Sequence, residues 1–284
     1  MKSNLLLAIC LGAIAAYAQK PADLPPGAAG GMPQVGEAHG NGGGGGGNKD
    51  PDLIDHSGPI LPASRIYYFW WGNQSSWPSD AVAGLPALAN GFAASSATAD
   101  TFMTHIFPQY MRGSSLSTSF AGSYYDSSAP PASNPSVATM INEACKVIGL
   151  NTLTADSSAV YVILTSNFPT GANYCAWHSW GTCSGKTIQV AYVPNTTNVT
   201  GCNISWGKDI TYSPGTNSIG NVLSHEFSET ITDPDGSAWF DTKGGEIGDK
   251  CAWQFNGYVN NLPGAGTWQL QMEWNNATSG CIQQ

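Results

Sequence analysis

The sequence predicts a mixed α/β (α+β) fold, a single disulfide-stapled and exported domain with a central sheet and an active-site helix of the zincin kind. Three observations predict it. Strand-like apolar runs alternate with helix-like amphipathic runs over most of the chain. The chain opens with a signal-type segment, and six cysteines follow it. The segment Ser224-His225-Glu226-Phe227-Ser228-Glu229-Thr230-Ile231-Thr232-Asp233 places chemistry-bearing residues at helical spacing.

Residues 1–18 read as a signal peptide. Lys2 supplies the positive start, Leu5 begins a short apolar core, and Ala16-Tyr17-Ala18 forms a small-x-small cleavage site. That core is shorter than the roughly 18 apolar residues a bilayer span needs, and no later run reaches this length. Residues 19–57 are rich in Gly and Pro and include an unbroken glycine run at 42–47. They are expected to form a flexible tail or removable leader, because such a composition buries too little apolar surface to offset its ordering entropy. Residues 58–284 are then one domain.

Within that domain, Arg65-Ile66-Tyr67-Tyr68-Phe69-Trp70-Trp71 is an aromatic strand closed by Gly72. Helices are expected after Asp80 and after Asp100, each acting as an N-cap. Residues 117–126 read as a strand and 136–148 as an amphipathic helix ending at Gly149. Ala159-Val160-Tyr161-Val162-Ile163-Leu164 is apolar throughout, as a buried central strand should be. Residues 187–193 alternate as another strand. Residues 218–232 form a helix that must end before Pro234. Its apolar Leu223, Phe227, Thr230 and Ile231 fall on one side at about 100° per residue, and His225, Ser228, Glu229 and Thr232 on the other.

His225 and Glu229 stand one turn apart, so both side chains reach one point. Imidazole nitrogen and carboxylate oxygen are both ligands of Zn²⁺. Glu226 is then placed to act as the catalytic base. The third ligand is sought among Glu246, Asp249, Asp241, Asp235 and His178, with Glu246 preferred because it returns after a glycine-rich turn. Two other readings stand beside this one. The acids and His225 can form a hydrogen-bonded structural network, or hold Ca²⁺ through oxygen alone. His178 lies in Cys175-Ala176-Trp177-His178-Ser179-Trp180-Gly181-Thr182-Cys183, which reads as a loop closed by its two cysteines and presenting His178 to the same cleft as a second catalytic candidate.

Cys145, Cys175, Cys183, Cys202, Cys251 and Cys281 remain after Cys10 leaves with the signal, and an even number in an exported chain implies disulfides whose pairing the spacing does not choose. Five sequons, at Asn73, Asn195, Asn198, Asn203 and Asn276, mark glycosylation candidates. With 10 Lys and Arg against 19 Asp and Glu, the chain has a net charge of −9 and no basic patch. Nucleic acid and anionic membranes are therefore poor partners, and an extracellular peptide or glycan is the expected one. Of the ten tryptophans, Trp70, Trp71, Trp77, Trp177, Trp180, Trp239 and Trp253 include candidates for a sugar-stacking platform.

The chain resembles the phosphate-induced protein 1 or EXORDIUM-like family of secreted proteins, in a microbial branch that carries His-Glu-x-x-Glu. The resemblance covers residues 58–281. It rests on Gly58-Pro59-Ile60-Leu61, Val160-Tyr161-Val162-Ile163-Leu164-Thr165-Ser166, Tyr174-Cys175-Ala176-Trp177-His178, His225-Glu226-Phe227-Ser228-Glu229, Thr232-Asp233-Pro234, Ala238-Trp239-Phe240-Asp241 and Glu246-Ile247-Gly248-Asp249-Lys250-Cys251. It implies an extracellular, cell-wall-associated protein and leaves two functions open, a peptidase-like metal-dependent hydrolase or a non-catalytic glycan- or partner-binding protein.

Overall fold

A computed structural model describes residues 24–35, 51–204, 207 and 209–283. The expected signal peptide and the glycine run at 42–47 lie outside them. In chain order the elements are β1 (Ile54–Asp55), β2 (Ala63–Trp71), α1 (Ala81–Ser96), α2 (Phe102–Ile106), β3 (Ser117–Asp126), α3 (Val137–Leu150), β4 (Ala159–Thr165), β5 (Trp177–Cys183), β6 (Lys186–Pro194), α4 (Pro214–Thr232), β7 (Trp239–Phe240), β8 (Glu273–Asn275) and β9 (Gly280–Ile282). The mixed α/β expectation is met by a five-stranded sheet in the order β3-β2-β4-β6-β5. Its first four strands run parallel and β5 pairs antiparallel with β6 at the edge.

Strand alternation builds two cores from one sheet. Ile66, Tyr68, Trp70, Val160, Val162 and Leu164 face α1, α2 and α4. Tyr67, Phe69, Trp71, Tyr161 and Ile163 face α3. The sheet is covered on both sides, which is why β2 and β4 are apolar almost throughout. Phe92 of α1 stacks on Phe227 of α4 at 5.3 Å, locking the two helices of one layer together. Among the described residues, no helix is long and apolar enough to cross a membrane.

Several local expectations shift. Asp80 precedes α1 but makes no capping bond there. Its carboxylate accepts from Ser213 N at 2.6 Å and from the hydroxyls of Ser213 and Thr216, so it fastens α1 to the start of α4. Thr101, not Asp100, caps α2, in a reciprocal capping box with Thr104. Residues 177–183 are a strand paired with β6, not a loop, and Cys175 and Cys183 do not close on each other. The disulfides are Cys145–Cys183, Cys175–Cys202 and Cys251–Cys281, with Cα separations of 5.6, 5.3 and 5.7 Å. Residues 24–35, expected to be flexible, lie against β5, with Ala28, Ala29 and Met32 buried.

The sequons divide by use. Asn276 spends its amide nitrogen on Leu53 O at 2.8 Å, and Asn195 spends its own on Ser76 O at 2.8 Å. A glycan on either nitrogen would remove a bond that holds two distant segments together. Asn73 and Asn198 are exposed.

On the α3 side, Glu143 is 4% exposed. Burial raises its pKa to about 7, helped by Asp126 and opposed by Lys146. The folded state then binds a proton that the unfolded state has released, so stability falls as pH rises from about 4.5 to 7. Glu143→Gln should flatten this fall and stabilise the protein at pH 8 by up to about 3 kcal/mol. Urea titrations of both proteins at pH 5 and pH 8 check it, and an unchanged pH dependence in the variant would refute it.

Candidate metal centre

α4 starts at Ser213, whose side chain accepts from Thr216 N, with Pro214 in the first turn. It stops at Asp233, before Pro234. The helix has no open polar face, since every residue from Thr216 to Thr232 is buried. Its hydroxyls tolerate this by bonding back to the previous turn. Ser228 donates to Ser224 O at 2.8 Å, Thr230 to Glu226 O at 2.6 Å and Thr232 to Ser228 O at 2.9 Å. Asn217 and Asn221, one turn apart, accept from Gln269 N and Gln271 N and bind the C-terminal chain to the helix. What this coverage leaves at the centre is charged.

Three elements converge there. α4 contributes His225, Glu226 and Glu229. Alternation along β5 buries Trp177 against Tyr192 on the α3 side and turns His178 to the α4 side. A turn at 246–250 contributes Glu246 and Asp249. That turn is fixed by the buried Lys250, whose ammonium lies 3.0 Å from Asp241 Oδ2 and 3.9 Å from the Trp274 ring centre. Trp274 N also donates to Ile247 O, and Gln271 Nε2 to Gly248 O. Asp241 is thus an anchor of the turn and not a ligand. Asp235 bonds only its neighbour Ser237 among the described contacts.

Two ligand trios form, each with its donor atoms within 4.8 Å of one another: His225, Glu229 and Asp249, and His178, Glu229 and Glu246. Glu229 belongs to both. Its Oε1 is 3.1 Å from His225 Nε2 and accepts from Asp249 N at 3.0 Å, while its Oε2 is 3.5 Å from His178 Nδ1. Asp249 Oδ1 lies 3.7 Å from His225 Nε2, and Glu246 Oε1 lies 3.6 Å from His178 Nε2. Asp249, rather than the preferred Glu246, completes the trio on the helix motif. His178, expected as a catalytic group, belongs to the second candidate trio.

The donor atoms lie at ion-pair distances of one another, but several of them make no hydrogen bond. Both ring nitrogens of His225, Glu229 Oε2, Glu246 Oε1 and Asp249 Oδ1 are buried with no hydrogen-bond partner. His178 Nε2 lies 3.1 Å from Asp233 O, which suits its N–H, and Nδ1 lies 3.4 Å from Glu226 Oε2 and 3.5 Å from Glu229 Oε2, where a protonated ring donates to the carboxylates and a neutral ring offers a free lone pair. Buried polar atoms are nearly always satisfied. A cation placed among these atoms satisfies them together, so the residues fit a divalent ion.

The electrostatics carry the same tension. Burial opposes a charge on His178, but Glu246, Glu226 and Glu229 outweigh it and raise its pKa well above the ordinary value. Burial likewise opposes His225, and Glu229 carries it up to about 10. Burial drives Glu226, Glu246, Asp249 and Glu273 upward. Glu229 alone goes down, to about 2, because the two imidazoles overcome its burial.

Sequence reasoning missed two members. Glu273, fully buried, accepts from Ser228 Oγ at 3.2 Å. Asp233 holds the following turn through its carboxylate, which accepts from Ala238 N at 2.7 Å, and its carbonyl lies 3.1 Å from His178 Nε2 and orients that ring. The tryptophans do not assemble a platform: Trp70, Trp77 and Trp177 are core, Trp239 packs on Tyr110, and Trp180 is 46% exposed.

No protein-family model, curated protein or solved structure matches this chain.

Gly248 closes the site from above. A Cβ there would lie 2.6 Å from His225 Nδ1. Gly248→Ala should therefore push the 246–250 turn off α4 and destabilise the fold by about 1–3 kcal/mol. Thermal melting measures this, and an unaltered melting temperature would show that the turn does not press on His225.

Proposed function

We propose that this chain is an exported, metal-dependent hydrolase acting on peptide bonds. One observation carries the reading, the set of buried ligand atoms on His225, Glu229, Glu246 and Asp249 that converge within ion-binding distance and make no hydrogen bond. His225, Glu229 and Asp249 would hold the ion, with His178 and Glu246 on the other oxygen of Glu229. An imidazole in each trio favours Zn²⁺ over Ca²⁺, which takes oxygen ligands. Such an ion supplies Lewis acidity, polarising a carbonyl and making water easier to deprotonate.

Glu226 is the base in this scheme. Its Oε2 takes a proton from the attacking water as the water oxygen bonds to the carbonyl carbon. The proton passes to the leaving amine nitrogen as the C–N bond breaks. His178, steered by Asp233 O, fixes the position of Glu226 Oε2. The helix that carries the motif lies against an antiparallel edge strand, which supports this reading, while the resemblance to the EXORDIUM-like family supports export and leaves the chemistry open. Three disulfides and the signal-type start support export.

Purified protein should contain stoichiometric divalent metal by elemental analysis. Glu229→Ala should lose it. Glu226→Gln should keep it while peptide hydrolysis falls at least about 100-fold. Absence of metal in wild-type protein, or full activity in Glu226→Gln, would overturn the reading.

A further inference from the structure

The edge of β5 next to the centre carries a second chain segment. Gly30 bridges antiparallel to His178, and Pro33 to Tyr174. Ala29 N donates to His178 O at 2.9 Å, His178 N to Gly30 O at 3.1 Å and Cys175 N to Met32 O at 2.8 Å. Side chains add to the hold: Ser179 Oγ donates to Gly27 O at 2.7 Å and Trp253 Nε1 to Pro33 O at 2.8 Å. Residues 28–33 thus run antiparallel along the β5 edge and the residues before it, through two isolated bridges, beside the donor cluster.

The contacts at the centre are specific. Met32 N donates to Glu226 Oε1 at 3.0 Å, engaging the base itself. A Cβ on Gly30 would lie 1.8 Å from Glu246 Oε2 and 2.6 Å from His178 Cε1. A Cβ on Gly31 would lie 2.8 Å from Ala176 O and from Trp177 Cβ. Two consecutive residues without side chains are therefore required where the segment crosses the cluster. Met32, next along, is fully buried in the main core.

We infer that the β5 edge is a binding groove for an extended peptide of the pattern small-small-long apolar, and that residues 24–35 are its resident occupant. Strand addition at a sheet edge supplies affinity through the backbone, and the side-chain positions supply selectivity. The groove lies on the atoms assigned above to hydrolysis, so the identity of this peptide class as substrate rests on that reading. The occupied groove does not. The segment is joined to the domain through residues 36–50, which hold the glycine run at 42–47. A tether of this kind keeps an intramolecular ligand at an effective concentration in the millimolar range.

The test uses the full chain with a site-specific protease sequence replacing residues 42–47. The probe is a fluorescent synthetic peptide of residues 25–35, titrated before and after cutting and followed by anisotropy. The cut protein should keep its circular dichroism and take up the peptide. The uncut protein should bind at least about 100-fold more weakly because its own segment competes. A peptide with Gly30→Val and Gly31→Val should bind the cut protein at least tenfold more weakly than the unaltered peptide. Loss of fold on cutting, equal uptake by cut and uncut protein, no uptake by either, or equal binding of the divaline peptide would each overturn the inference. The titration is repeated after chelation, with metal content measured on the same sample. Peptide uptake by a protein that holds no metal refutes the proposed hydrolase alone, and failed uptake by a metal-loaded protein refutes the groove alone.

Discussion

A carboxylate moved from water into a protein interior costs several kcal/mol unless a partner compensates it. Here Glu226, Glu229, Asp233, Glu246 and Glu273 are each 3% exposed or less, and two buried imidazoles stand among them. The rest of the C-terminal half is arranged around this cost. α4 hides its hydroxyls in its own carbonyls so that it can be enclosed on all sides. Lys250 is buried to hold the turn that delivers Glu246 and Asp249. The edge strand turns antiparallel and brings His178 over the helix. A fold with only 10% charged residues has concentrated its charge where water is excluded.

That concentration also gives the parts of the cluster different duties. Glu229 spans the site, with one oxygen toward each imidazole, and it alone is pulled below the usual carboxylate range. The other acids sit at the margins of these two positive or metal-ligating groups and are pushed up by burial. Asp233 acts through its backbone, Asp241 through the lysine it anchors. The acidic residues that crowd residues 226–249 in sequence are therefore not one ligand set but a small set with its supports.

Strands β2 and β4 were legible because a strand covered on both faces is apolar almost throughout, a pattern with few rival explanations. α4 was legible from its spacing and from Pro234. β5 was not, since Trp, His, Ser, Gly and Thr between two cysteines fit a closed loop equally well, and only the distant partners Cys145 and Cys202 settle the matter. Asp249 and Glu246 are three residues apart on one turn, and the direction of that turn depends on Lys250 and Trp274, contacts invisible in one dimension. Residues 24–35 misled most. Their composition speaks of entropy, but what holds them is backbone hydrogen bonding to an open strand edge, which leaves no side-chain periodicity behind. The paired glycines were the one trace, and they mark close approach rather than freedom.

The three disulfides span residues 145–183, 175–202 and 251–281. The first two overlap, so a break inside either hairpin strand of β5 and β6 leaves both ends covalently attached. None of the three encloses residues 24–35. The stretch that reaches deepest into the centre is thus held to the molecule by a single covalent path, through residues 36–50. One severed peptide bond there changes it from part of the protein into a dissociable molecule, whereas most other surfaces around the strand it covers survive a nick intact.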